Sequence, residues 1–147
     1  MVENIMLIDD NKIDLFVNQR IIEKYDSTIK TRVFNNAISA ISFFKLLELN
    51  TNIKCLTIPD IILLDVSMPE MDGFKFLEEF KKINLVNKDK ISIYMVSSSS
   101  CPDDIRNAQK EIYCSGYITK PLTVDKLKSV SHNSINFKNH EYFKKII

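Results

Sequence analysis

Ile61-Ile62-Leu63-Leu64 is an unbroken apolar run of strand length that stops at a charged residue, Asp65. A strand without alternation has no face to give to water, so it belongs inside a sheet covered on both sides. Parallel sheets, whose crossovers are helices, meet that demand. The flanking sequence fits. Val2 to Ile8 is a second run, ending at Asp9 and Asp10, and Ile91 to Val96 a third, followed by Ser97. Shorter β-branched and aromatic runs stand at Thr31 to Phe34 and Tyr117 to Thr119.

Segments of helical period separate these runs. Ile13, Phe16, Val17, Ile21 and Tyr25 predict an amphipathic helix from about Asn11 to Tyr25 and supply its apolar face. Ala37, Ile41, Phe44 and Leu47 mark a second helix, and Gly73 opens a third that carries Phe74, Leu77 and Phe80. Pro102 followed by Asp103 and Asp104 starts a fourth: proline needs no amide partner there, and carboxylates favour the positive end of the helix dipole. Val124, Leu127 and Val130 begin a fifth, and a polar connection is expected from Asn50 to Pro59. Strict alternation of this kind predicts a doubly wound α/β fold with a five-stranded parallel sheet and helices on both faces.

At 147 residues the chain is the size of one domain. Its 20 basic and 19 acidic residues leave a formal charge of +1, which gives no electrostatic footprint for nucleic acid or an anionic membrane. Only two glycines, Gly73 and Gly116, are present, so neither a Walker A loop nor a G-x-G-x-x-G turn can be written. Cys55, Cys101 and Cys114 are odd in number and widely spaced, which suits neither a disulfide framework nor a zinc site. With no secretory signal and no run long enough to span a bilayer, the expected location is cytoplasmic.

Chemistry gathers where strands end, as it does in open α/β sheets. Asp9 and Asp10 follow the first strand and Asp65 the third, so three carboxylates should converge. Left uncompensated they would resist ionising together, and a hard divalent ion such as Mg²⁺ resolves the repulsion. Ser97, after the fourth strand, places a hydroxyl where it can donate to a phosphoryl oxygen. Lys120, between the fifth strand and Pro121, places an ammonium opposite the acids.

These residues, in this order, resemble the response-regulator receiver family over roughly residues 3 to 131. Asp65-Val66-Ser67-Met68-Pro69-Glu70-Met71-Asp72-Gly73 is similar to the family's phosphoacceptor loop, and Gly116-Tyr117-Ile118-Thr119-Lys120-Pro121 to its last strand and switch. The resemblance implies a flavodoxin-like strand order 2-1-3-4-5. It also implies that Asp65 is the phosphoacceptor, taking the group from a histidine kinase or histidine phosphotransfer protein to give an aspartyl phosphate. Mg²⁺ would be held by Asp10, by Asp9 directly or through water, by Asp65, and by the backbone carbonyl of Ser67. Lys120 would contact the phosphoryl group, while Ser97 and Tyr117 would form the switch that alters protein contacts. Small serines at 67 and 99 are expected to leave water or a partner phosphatase open access to the site.

The resemblance points to a stand-alone signalling receiver, not an enzyme with turnover, acting on an unknown downstream protein; homodimerisation stays open. The rivals are an aspartate-based phosphatase, which usually wants a second acid where Ser67 stands, a degenerate receiver acting as a constitutive binding module, and a flavin-binding protein of similar topology. Residues 1 to 131 are expected to form the receiver, and 132 to 147 an extension without a separate output domain. In the extension Tyr142, Phe143, Ile146 and Ile147 suggest one apolar face, either packed on the domain, frayed, or forming a docking or dimer helix.

Overall fold

β3 (Ile61–Asp65) is buried at every position, as its unbroken apolar sequence requires. The computed structural model describes residues 1–49, 57–132 and 143–147, so most of the predicted polar connection before β3 lies outside the described residues, as does Cys55. The other elements are β1 (Asn4–Ile8), α1 (Lys12–Tyr25), β2 (Lys30–Phe34), α2 (Ala37–Leu49), α3 (Gly73–Lys82), β4 (Ser92–Ser97), α4 (Pro102–Lys110), β5 (Cys114–Thr119), α5 (Val124–Ser131) and β6 (Lys144–Ile146). A turn of 3-10 helix, Lys88–Lys90, precedes β4. All strand pairs are parallel, in the order β2-β1-β3-β4-β5-β6. The predicted five-stranded order is therefore present, with one short strand added at its β5 edge.

Two apolar layers enclose the sheet. On one face α2, α3 and α4 bury Ile41, Phe44, Phe76, Phe80 and Ile105 against Met6, Ile62 and Met95. The rings of Phe44 and Phe80 meet edge to face at 5.1 Å between centroids, and Phe76 stacks on Phe80 at 5.8 Å. Full burial of each such ring contributes roughly 2–3 kcal/mol before packing geometry is counted. On the other face α1 and α5 bury Leu15, Ile22, Leu127 and Val130 against Leu7, Leu63 and Ile118.

The helix starts are locally encoded. Asn11 accepts hydrogen bonds from the N–H groups of Ile13 and Asp14, Asp72 from that of Lys75, and Thr123 from that of Lys126. Each satisfies donors that the first turn leaves unpaired. Pro102 opens α4 as expected.

Two expectations need correction. In α1 the inward stripe is Leu15 and Ile22, with Ile21 and Tyr25 on its flank; Ile13, Phe16 and Val17 face solvent at 73%, 57% and 44% exposure. Periodicity identified a helix with apolar residues on more than one side, and docking against α5 and the sheet selected the stripe through Leu15. In the C-terminal extension residues 144–146 are a strand, not part of a docking helix: β6 pairs with β5 through Gly116↔Lys144 and Ile118↔Ile146. Phe143 packs on one core layer and Ile146 on the other. Tyr142 lies outside the described residues. Among the described residues no helix is long and apolar enough to cross a membrane.

Candidate functional site

The register of the sheet brings the site together. Ile8 pairs with Leu64, Asp65 with Val96, and Ser97 with Thr119, so Asp9, Asp65, Ser97 and Lys120 leave adjacent strands at the same end. The ends are fastened by backbone bonds from Asp9 N–H to the Phe34 carbonyl (3.1 Å), Val66 N–H to that of Val96 (3.1 Å) and Lys120 N–H to that of Ser97 (2.8 Å). The loop after β3 folds back on its strand, where Gly73 N–H donates to the Val66 carbonyl at 2.9 Å. A Cβ at Gly73 would lie 2.6 Å from the Asp65 carbonyl oxygen, so only glycine allows this closure.

Carboxylate oxygens of Asp9, Asp10 and Asp65 lie within 4.8 Å of one another. Asp9 and Asp65 are buried, at 4% and 7% exposure, while Asp10 faces solvent. The Lys120 ammonium reaches into the group, 2.9 Å from Asp9 Oδ2 and 3.3 Å from Asp65 Oδ1. The Lys120-Pro121 peptide is cis. Asp9 Oδ1 also accepts the Asn11 N–H at 2.9 Å, which ties the pair to the start of α1.

Electrostatics follow from this crowding. Burial, then the charge of Asp9 and more weakly that of Asp10, push Asp65 up to about 6 against the opposing pull of Lys120. Burial works against the Lys120 charge, but hydrogen bonds to Asp9 and Asp14 and the charge of Asp65 more than offset it, so its pKa is raised. One ammonium among three converging carboxylates leaves negative charge in excess. Three hard oxygen donors on neighbouring loops are the ligand type Mg²⁺ takes, and the donor set fits such an ion.

Ser97 is buried, and its hydroxyl oxygen accepts the Ser99 N–H at 3.0 Å. Tyr117 lies deeper, 1% exposed in the core, and its hydroxyl donates to the Ser99 carbonyl at 2.8 Å. The loop after β4 is thus held from both residues predicted to switch. Ser67 and Ser99 side chains are exposed. One participant escaped the sequence reading: Asp14, whose Oδ2 lies 2.9 Å from the Lys120 ammonium. Nothing in the sequence singles it out: Asp10 precedes α1, so no helical spacing links the two. In sequence it reads as an ordinary first-turn acid.

Comparison with known proteins agrees with the fold. The model of the response regulator receiver domain matches residues 5–131, and the chain belongs to that family. It is a receiver domain of the two-component, CheY-like kind, a signalling module. A probable methanogenesis regulatory protein of Methanothrix harundinacea is 25% identical over 124 residues, 84% of this chain and 76% of that protein. A peroxide stress-activated histidine kinase of Schizosaccharomyces pombe is 26% identical over 92% of this chain, which spans only 8% of the kinase. The crystal structure of a two-component response regulator from Cytophaga hutchinsonii superposes with a TM-score of 0.81 at 26% identity, covering 92% of this chain and 98% of the other.

Proposed function

We propose that Asp65 accepts a phosphoryl group from a phosphohistidine on a histidine kinase or phosphotransfer protein, and that the acyl phosphate changes which proteins this domain binds. The observation that carries this reading is the convergence of Asp9, Asp10 and Asp65 around the Lys120 ammonium. Asp9, Asp10, Asp65 and the Ser67 carbonyl would hold Mg²⁺, which when bound offsets charge on the transferring phosphoryl group. With a pKa near 6, Asp65 is mostly ionised at neutral pH and available as the nucleophile. Lys120 gives a second positive charge at the same point, and positioning with charge neutralisation is most of what phosphoryl transfer requires.

The phosphoryl group adds about two negative charges and three acceptor oxygens. Ser97 could then exchange the Ser99 N–H for a bond of its own to a phosphoryl oxygen. That exchange would loosen the loop whose carbonyl Tyr117 holds, so the switch would spread along β4 and β5. A donor protein approaching Asp65 also meets Ile13, Phe16 and Val17, exposed on α1 beside the site, which suit an apolar helical partner.

The test is incubation with labelled acetyl phosphate, with and without Mg²⁺. Wild type should form an acid-stable, base-labile phosphoprotein only with the ion, and Asp65→Ala should form none. Equal labelling of the alanine variant would move the acceptor elsewhere.

A further inference from the structure

A lysine ammonium has three N–H donors, and at Lys120 three carboxylates share them. Asp9 and Asp14 each lie at 2.9 Å and Asp65 at 3.3 Å. The proposed nucleophile thus has the longest of the three contacts, and the shortest are held by residues that do not accept the phosphoryl group. The partners also differ in their exchange with water: the side chains of Asp9 and Asp65 are 6% and 9% exposed, that of Asp14 38%. When a phosphoryl oxygen claims an N–H of Lys120, one carboxylate must give way. Asp14 is the partner that water can take over at least cost.

We infer that Asp14 is a positioning residue that draws the Lys120 ammonium toward α1 while Asp65 is free, and so slows phosphoryl transfer. The inference rests on Asp65 being the acceptor. In the step concerned, an Asp65 oxygen bonds to phosphorus as the bond from phosphorus to the donor atom breaks, the electron pair leaving with the imidazole nitrogen of a phosphohistidine, or with acetate when acetyl phosphate is the donor. Lys120 neutralises the equatorial oxygens during that exchange, and the contact with Asp14 must be broken for it to do so fully. The bond tying α1 to the end of β5 is therefore a brake set within reach of the reacting atoms.

A double-mutant cycle on the full chain, with acetyl phosphate and Mg²⁺, separates this from simple charge repulsion of an anionic donor. Asp14→Asn keeps the shape and removes the charge. It should raise the labelling rate at saturating donor by roughly two- to five-fold, the range over which a partly exposed ion pair acts. The half-saturating donor concentration should change little, and the thermal midpoint should stay within a degree or two of wild type, since the pair is partly exposed. Asp14→Glu should restore the slower rate. In a Lys120→Ala background the same Asp14→Asn change should have no effect. An unaltered rate in Asp14→Asn, or an equal acceleration without Lys120, would overturn the inference while leaving Asp65 as acceptor. A wild type that takes no label with Mg²⁺ would remove both.

Discussion

Asp65 sits 7% exposed beside a second buried carboxylate, and its proton is correspondingly hard to lose. Burial first, then the charge of Asp9, lift it from an ordinary carboxylate value to about 6. A raised carboxylate favours the folded state while protonated: that stability is complete below about pH 4 and is lost as pH rises through 6. With chelator present, Asp65→Asn should therefore be more stable than wild type at pH 7, by on the order of 2–3 kcal/mol, and should lose the advantage by pH 4. Urea midpoints across that range measure it, and a pH-independent difference would remove the electrostatic account. Residues such as Asp65 and Lys120 were legible because they stand where apolar runs end. Asp14 was not, since its contact to Lys120 joins α1 to the end of β5 across 106 residues.

At the scale of elements, the sheet's last strand is its least predictable part. β6 has three residues, too few to carry a period, and two of them are lysines that read as solvated surface. What seats it is a property of its neighbour. A Cβ at Gly116 would lie 2.5 Å from the Lys144 carbonyl oxygen and 3.0 Å from the Tyr94 ring, so the close approach of β6 needs glycine on β5. Lys144 adds a bond from its ammonium to the Ser129 carbonyl at 2.8 Å, near the end of α5. Gly116→Ala should push β6 off its edge. Limited digestion with trypsin should then cut after Lys144 and Lys145 several times faster than in wild type, while β1 to β5 stay intact. Unchanged protection would mean that Tyr94 and β6 absorb the methyl group together. For α1, apolar periodicity gave the helix and its length but not the stripe that docks. Leu15 and Ile22 are chosen by the surfaces of α5 and the sheet, and nothing within the helix distinguishes them from Phe16 and Val17.

Across the whole molecule, buried polar and charged side chains collect at both ends of the sheet. Asp9, Asp65 and Ser97 occupy the end where the strands finish, and Lys88 is buried just before β4 begins. Its ammonium donates to the carbonyls of Phe80 (2.5 Å), Ile83 (2.6 Å) and Lys81 (3.0 Å) at the C-terminus of α3, where Phe80 also accepts the Ile83 N–H at 3.1 Å. It also stands 4.7 Å from the Phe80 ring centroid and 4.5 Å from that of Tyr113, in the turn before β5. One side chain therefore finishes α3, favours the negative end of its dipole, and joins it to the entrance of β5. In sequence Lys88 lies among Asn87, Asp89 and Lys90 and reads as an exposed polar turn, because the aromatic rings that enclose it come from distant segments. Lys88→Met keeps most of the stem and removes the ammonium, leaving carbonyls without their donor. The variant should lose roughly 2–4 kcal/mol of unfolding free energy, the cost of buried acceptors stripped of a charged partner. Labelling of the folded fraction by acetyl phosphate should stay near wild type, since Asp65 lies at the opposite end of its strand. A loss below about 0.5 kcal/mol, within the scatter of surface substitutions, would show that water replaces the ammonium and that Lys88 is no more than a well-placed surface residue.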